Sequence, residues 1–313
     1  MQVYKALDQV PADFGPTAVT IGKFDGVHTG HRRVIGELRE LAGVHGLTSA
    51  VVTFDRNPLS IIKPEVSPEP LVSVKQKLEL IEQLGVDTAL VLEFDEKFSE
   101  ISPEQFVRTI LVDALHASVV LVGSDFRFGA KGNGDVDVLR ELGTRYGFTV
   151  HIVADVIAEG RRASSTWIRE LLAVGKVSEA AELLGYLPTV RAVVVHGAQR
   201  GRELGFPTAN LAQDVEGFVP EDGVYAAWAT IGEDRFAAAV SVGKNPTFEG
   251  VLQTQVEAHL LDQDLDLYGR VIEVAFVEWV RGMVKFEGIE PLIVQMNDDL
   301  TRVRTVLGGP PRL

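Results

Sequence analysis

The sequence predicts an α/β domain built on a parallel sheet, followed by a smaller β domain, a small barrel, that ends in a helix. Three observations carry this reading. Strand-like and helix-like segments alternate through the first half of the chain, the pattern of a parallel sheet with helices on both faces. After "GYLP" (185–188) the texture changes to closely spaced strands and turns. Helical periodicity returns only in "IEPLIVQMNDDLTRVRTVLGG" near the end. The boundary falls near Leu187, giving domains 1–187 and 188–313.

"TAVTIG" (17–22) is a short apolar run ending in glycine. The helix after it carries Val34, Leu38 and Leu41 on one face and stops at Gly46. "TSAVVTFD" (48–55) reads as a buried strand, and a second helix presents Val74, Leu78 and Ile81 before Gly85. "TALVLEF" is the next strand, and Ser102-Pro103-Glu104-Gln105 supplies an N-cap, a proline at N1 and a capping-box glutamine. "SVVLVGSDF" and "FTVHIVADVI" complete the strand set, and 165–185 is helical with a break at Gly175. In the second domain "TVRAVVVHG", "DGVYAAWATIG", "RFAAAVSVG", "VEAHLLD" and "RVIEVAFVEWV" read as strands of a barrel.

Composition narrows the function. The chain has 313 residues, 24% of them charged, and no cysteine, so disulfides, thiol catalysis and Cys-zinc sites are excluded. The net charge is −14, divided equally between the two domains, and neither has the basic excess of a nucleic-acid surface. No run is long and apolar enough to span a membrane, and the N-terminus does not read as a signal peptide. A cytoplasmic enzyme acting on small molecules is expected, with a homo-oligomer left open.

"GKFDGVHTGH" (22–31) sits where such a fold binds ligands, at the carboxyl end of a strand and the start of a helix. Gly22, Gly26 and Gly30 let a backbone approach a phosphate. His28 and His31 point into one site, where imidazoles, protonated or neutral, can donate to phosphate oxygens. An isolated H-x-G-H would read as a solvated turn; the full string after a strand reads as a phosphate site. "GSDFRFGAKGNGD" (123–135) follows another strand, and "RASSTWIRELL" (162–172) sets hydroxyls at a helix start with Arg169 one turn on. In the second domain "HGAQRGRELGFPTANL" (196–211) lacks the ending of a Walker A loop. Thr208 and Asn210, two apart on an extended stretch, offer oxygen ligands of the kind Mg²⁺ accepts beside ATP. Glu257 in "TQVEAHLLD" is either a solvated-face carboxylate or a general base. His45, His116, His151, His196 and His259 are scattered and receive no role.

In this order the motifs are similar to those of bacterial bifunctional riboflavin kinase/FAD synthetases over nearly the whole chain. The likeness rests on "GKFDGVHTGH", "VGSDFRFG", "SSTWIRELL", "RGRELGFPTANL", "DGVYAAW", "VSVGKNPTFEG", "VEAHLLDQDLDLYG" and "MVKFEGIEPL". It implies a Rossmann-like nucleotidyltransferase domain and a kinase domain formed by a six-stranded antiparallel barrel with a terminal helix. It implies phosphorylation of riboflavin to FMN in the second domain and adenylylation of FMN to FAD, releasing pyrophosphate, in the first, both with ATP and Mg²⁺.

For adenylyl transfer the resemblance implies His28 and His31 as catalytic groups. Gly22, Phe24, Asp25, Gly26, Gly30, Asp125, Ser165, Thr166 and Arg169 would bind ATP, with Asn57 and Phe128 near the flavin. For the kinase it implies Gly201, Gly205, Phe206, Pro207, Thr208 and Asn210 at ATP, the metal on Thr208 and Asn210, and Glu257 as the base. Three positions depart from the family pattern: Arg56 in place of a proline, Asn57 in place of a histidine, and Lys244. Where F-x-P-H-P is usual the chain has Phe54-Asp55-Arg56-Asn57-Pro58, and asparagine hydrogen-bonds but carries no charge. Lys244 stands where a small hydroxyl residue is common. Narrower readings are a kinase whose first domain is inactive and a non-catalytic flavin-responsive regulator.

Overall fold

The computed structural model describes residues 1–197, 205–246 and 252–308. It divides into two compact units, Met1–Ser164 and Ser165–Leu313.

The first unit holds six strands: β1 (Gln2–Tyr4), β2 (Thr17–Ile21), β3 (Thr48–Phe54), β4 (Thr88–Leu92), β5 (Ala117–Gly123) and β6 (Thr149–Val153). All pair in parallel, in the order β1-β4-β3-β2-β5-β6. Its helices are α1 (Thr29–His45), α2 (Leu59–Ile62), α3 (Val74–Gln83), α4 (Glu96–Ser99), α5 (Pro103–Phe106) and α6 (Val136–Tyr146). Successive strand residues point to opposite faces. Ala18, Val51 and Leu121 therefore pack with Ile35, Leu38 and Ile81 of α1 and α3. Val19, Val52 and Val120 pack with Phe106, Leu111 and Leu139 on the other face. Helices cover both faces, so β2 is buried along its whole length.

Two helical stripes differ from expectation. In α1 the fully buried residues are Ile35, Leu38 and Ala42, with Val34 and Leu41 at the edge. In α3 they are Gln76, Lys77 and Ile81 rather than Val74, Leu78 and Ile81. Gln76 is buried because it closes a capping box with Ser73. Ser102 caps α5 with Pro103 in its first turn, as expected, and the helix continues to Ala114 in wider π-type turns. A hairpin, β7 (Ile157–Ala158) and β8 (Arg161–Arg162), ends the unit.

The second unit begins with α7 (Ser165–Leu172) and α8 (Val177–Leu184), which the left-handed Gly175 separates. Strands β9 (Thr189–Val195), β10 (Ala209–Leu211), β11 (Gly223–Ile231), β12 (Asp234–Pro246), β13 (Leu252–Leu260) and β14 (Val271–Arg281) close a barrel in the order β10-β13-β12-β11-β14-β9. All its pairings are antiparallel. The terminal helix α9 (Ile289–Leu307) lays Val303 on Val224, Ala226 and Val280. Helices α7 and α8 pack with the barrel: Ser178 Oγ donates to the Val277 carbonyl at 2.8 Å, and Glu221 N to that of Leu172 at 3.0 Å. The compact units thus divide at Ser164–Ser165, whereas the sequence texture changes near Leu187.

Arg281 and Asp299 fasten α9 to β14 by a forked pair at 2.7 and 2.9 Å, and Gln295 Nε2 adds a bond to Asp299 at 3.0 Å. Asp299 is buried. Removing one partner leaves an uncompensated charge. Asp299→Ala is expected to lower the stability of this unit by roughly 3–5 kcal/mol. All three tryptophans lie in the second unit, so tryptophan fluorescence during urea unfolding measures the loss directly.

Candidate active sites

In the first unit the strand order reverses between β2 and β5, the position where open parallel sheets leave a crevice for a ligand. The loop after β2 is Gly22–His28 and the loop after β5 begins at Ser124. The β2 loop turns tightly, with positive φ at Phe24 (49°), Gly26 (79°) and Val27 (37°). Such values are costly for residues with a side chain and persist where packing fixes them. Phe24 and Val27 are buried in the core beneath α1. His28 is the N-cap of α1, its Nδ1 accepting the Gly30 N–H at 3.2 Å. His31 stacks on it with ring centroids 3.8 Å apart and meets the edge of Phe24 at 5.2 Å.

The glycines serve these rings. A Cβ at Gly30 would lie 3.0 Å from Cε1 of His28, and one at Gly22 3.1 Å from the Phe24 ring. Expected only to make room for a phosphate, Gly22 and Gly30 first make room for the side chains that shape the turn. Asp25 is also used structurally, accepting the Leu71 N–H at 2.8 Å.

Both imidazoles are neutral near pH 7. Burial, then the charge of Arg162, lowers the pKa of His28 to about 4. Burial, then His28, Arg162 and Lys77, holds His31 well below its ordinary value. Because the Gly30 N–H occupies Nδ1 of His28, the ring proton sits on Nε2. Nδ1 of His31 is buried and has no partner among the described residues. Arg162 on β8 is the cation that acts on both imidazoles. It forks onto Asp125 at 2.6 and 3.0 Å and reaches Asp155 at 3.1 Å, holding the Asp125 carboxyl below its usual range. The sequence reading gave Arg162 no role. Its only signal was a basic residue at the head of the "SST" segment, and the β7–β8 hairpin is what brings its charge to bear on the histidines.

Asn57 lines a cavity of about 240 Å³ with Lys23, Asp55, Arg56 and Lys77, and its Oδ1 caps α2 through the Leu59 N–H at 3.1 Å. Phe128 is buried in an aromatic core against Phe106 and Phe126, and Phe126 is the more exposed ring of that loop. Ser165, Thr166 and Arg169 lie on α7, in the second unit.

In the barrel, Asn210 on β10 pairs with Glu257 on β13. Ala209 points inward, which leaves Thr208 and Asn210 half-buried on one face. Thr208 Oγ1 donates to Glu257 Oε2 at 3.3 Å, and Asn210 Nδ2 to Thr208 O at 3.4 Å. A Cβ at Gly197 would fall 2.4 Å from the Asn210 amide, so a larger residue there would push that amide aside. A hydroxyl, an amide carbonyl and a carboxylate in one cluster form a donor set that suits Mg²⁺. Thr208 and Asn210 border a cavity of about 220 Å³ lined also by Val194, Asp264 and Tyr268. Gly205 takes a left-handed φ and Phe206 is buried. Gly201 lies outside the described residues. Lys244 is exposed on β12. His259 was passed over, yet its Nδ1 bonds to the Pro207 carbonyl at 2.8 Å and so fixes the segment carrying Thr208. Its signal was the two-residue spacing from Glu257 on one strand.

The FAD synthetase family model matches residues 10–167 and the riboflavin kinase model residues 184–307. The chain is 38% identical over 284 residues to a bifunctional riboflavin kinase/FMN adenylyltransferase of Listeria monocytogenes, covering 90% of this chain and 89% of that protein. The enzyme of the same description from Escherichia coli K12 is 36% identical over 305 residues, covering 96% of each. This chain belongs to the bifunctional riboflavin kinase/FMN adenylyltransferase family. A crystal structure of a macrolide-efflux protein from Streptococcus pneumoniae also superposes, with a TM-score of 0.86 and 29% identity over 96% of this chain and 98% of that one. Among the described residues no helix is long and apolar enough to cross a membrane. Both family domains are present, so the two clusters described above each fall within a catalytic domain of the family.

The neutral histidines make the first unit acid-sensitive. His28 binds a proton near pH 4 when folded but near 6.5 when unfolded, and His31 is shifted the same way. The unfolded chain therefore takes up more protons between these values, and stability is full above pH 6.5 and lost as pH falls toward 4. Amide hydrogen exchange in β2 and β5 is expected to report this decline, and His28→Asn to flatten part of it.

Proposed function

We propose that segment 1–187 carries adenylyl transfer and segment 188–313 the kinase, with the histidine pair and the Thr208–Asn210–Glu257 cluster as their respective centres. The chain is a bifunctional riboflavin kinase and FMN adenylyltransferase. ATP, riboflavin and FMN are its small-molecule substrates.

In adenylyl transfer a phosphate oxygen of FMN bonds to the α-phosphorus of ATP as the bond to pyrophosphate breaks. The chain's task is to position the reactants and meet the charge on the phosphates. The observation that carries the assignment is the stacked, neutral histidine pair at the β2–β5 reversal, with Nδ1 of His31 buried and unpartnered. His28 would donate from Nε2, helped by the positive end of α1 and by Arg162. Neutral donors suit a step in which no proton need be lost from the histidines. Asp125 would exchange its hold on Arg162 for the nucleotide. For Ser165, Thr166 and Arg169, and for Asn57 and Phe128 near the flavin, the proposal rests on motif order.

In the kinase, Glu257 would accept the proton of the ribityl hydroxyl as its oxygen bonds to the γ-phosphorus and ADP departs. Thr208 Oγ1 and Asn210 Oδ1 would hold Mg²⁺, which when bound offsets phosphate charge. Glu257 is kept in place by its pairing with Asn210 and its bond to Thr208.

The full-length protein, incubated with riboflavin, ATP and Mg²⁺ and analysed by flavin chromatography, separates the two centres. His28→Ala is expected to accumulate FMN with FAD formation reduced by about 10²-fold or more. Glu257→Ala is expected to form no FMN from riboflavin while still converting supplied FMN to FAD. The reverse pattern, or loss of both activities in either variant, contradicts the assignment.

A further inference from the structure

Lys77 is a buried cation whose use the reaction chemistry above does not explain. It sits on α3 with 7% of its surface exposed. Its Nζ donates to the Phe54 carbonyl at 2.7 Å and to the Lys23 carbonyl at 3.2 Å. These two acceptors belong to different arms of the site. Phe54 ends β3, directly before Asp55-Arg56-Asn57. Lys23 opens the turn that leads to His28, and its carbonyl also accepts from Thr53 Oγ1 at 3.1 Å. An ammonium has three donors, so two main-chain bonds leave the third N–H at the wall of the 240 Å³ cavity that Lys77 lines with Asn57.

We propose that Lys77 is a positioning residue for adenylyl transfer, its ammonium clamping the turn that carries His28 to the segment that carries Asn57. Burying a charge is expensive, and an apolar side chain would fill the same space without that cost. The ammonium supplies what an apolar group cannot, a bridge between the Phe54 and Lys23 carbonyls at the strand ends. The inference rests on the placement of adenylyl transfer at the histidine pair.

The charge acts on the site as well as the bridge. Asp25 and Lys23 of the β2 turn, Asp55 and Arg56 after β3, and His31 of α1 are the titratable and charged groups around it. Burial outweighs the support of Asp25 and Asp55 and brings Lys77 down to about 8. Its positive charge in turn helps keep His31 neutral. Loss of that charge at alkaline pH weakens the bridge, while His31 stays neutral there with or without it. FAD formation should therefore fall on the alkaline side, through a limb that FMN formation by the same chain does not share.

The test uses the full-length protein, wild type, Lys77→Met, Lys77→Arg and His28→Ala, with both activities measured from pH 6 to 9.5. Lys77→Met is expected to lower kcat for FMN adenylylation by about 10- to 100-fold. KM for FMN and ATP should stay within roughly threefold. Riboflavin phosphorylation, the internal control for folding, should be unchanged. Lys77→Arg should recover part of kcat and lose the alkaline limb, because a guanidinium stays charged. An unchanged kcat in Lys77→Met overturns the inference. So does a rise in KM with kcat intact, which would make Lys77 a substrate ligand, or an arginine variant no better than methionine. If His28→Ala also forms FAD normally, the site assignment itself fails, an outcome distinct from failure at Lys77 alone.

Discussion

In the first unit the parallel sheet reverses its strand order between β2 and β5, and the chain leaves these neighbouring strands toward helices on opposite faces. The reversal opens a crevice that the backbone does not fill. The contents of the proposed adenylyl site follow from it. The β2 turn must enter α1 at once, so His28 becomes its cap and His31, one turn on, stacks against it. His31 meets the edge of Phe24, whose buried side chain holds its strained backbone in place. Desolvation then sets the protonation state. The site is built from neutral donors and a helix end, with its positive charge on Arg162 and Lys77 rather than on the imidazoles.

The proposed kinase site in the second unit is built by another route. Closing the barrel requires the short β10 to pair with both β9 and β13. That register fixes Asn210 opposite Glu257 and keeps Thr208 on the same side. A one-residue slip of β10 would turn Thr208 and Asn210 away from the face that carries Glu257. Precision here comes from strand register and from His259, and owes little to helix ends.

The fold class, the break at Gly175, the Ser102 cap and the placement of Thr208 and Asn210 on one face were legible in the sequence, whereas Glu257 joined them only through the resemblance. Each depends on local periodicity, on a residue with one strong conformational use, or on a motif with known companions. Other features were hidden. Burial of Lys77 runs against its residue type, so an apolar stripe over α3 was misplaced by the very residue that bridges the two loops. Arg162 depends on a two-residue hairpin that aims its guanidinium at Asp125. The packing of α7 and α8 on the barrel reflects contacts with Val277 and Glu221, far along the chain, that no local texture records. Gly22 and Gly30 were singled out for a phosphate, but their immediate neighbours are rings of the same turn.

The central claim is that phosphates in the first unit meet neutral imidazoles whose protons are already placed. Nitrogen-15 NMR of the histidine side chains in the ligand-free, full-length protein tests it most directly. The account predicts that at pH 7 His28 is neutral, with Nδ1 unprotonated and the proton on Nε2, and that His31 is neutral as well. An imidazolium signal from either residue at pH 7, or the opposite tautomer of His28, would contradict it.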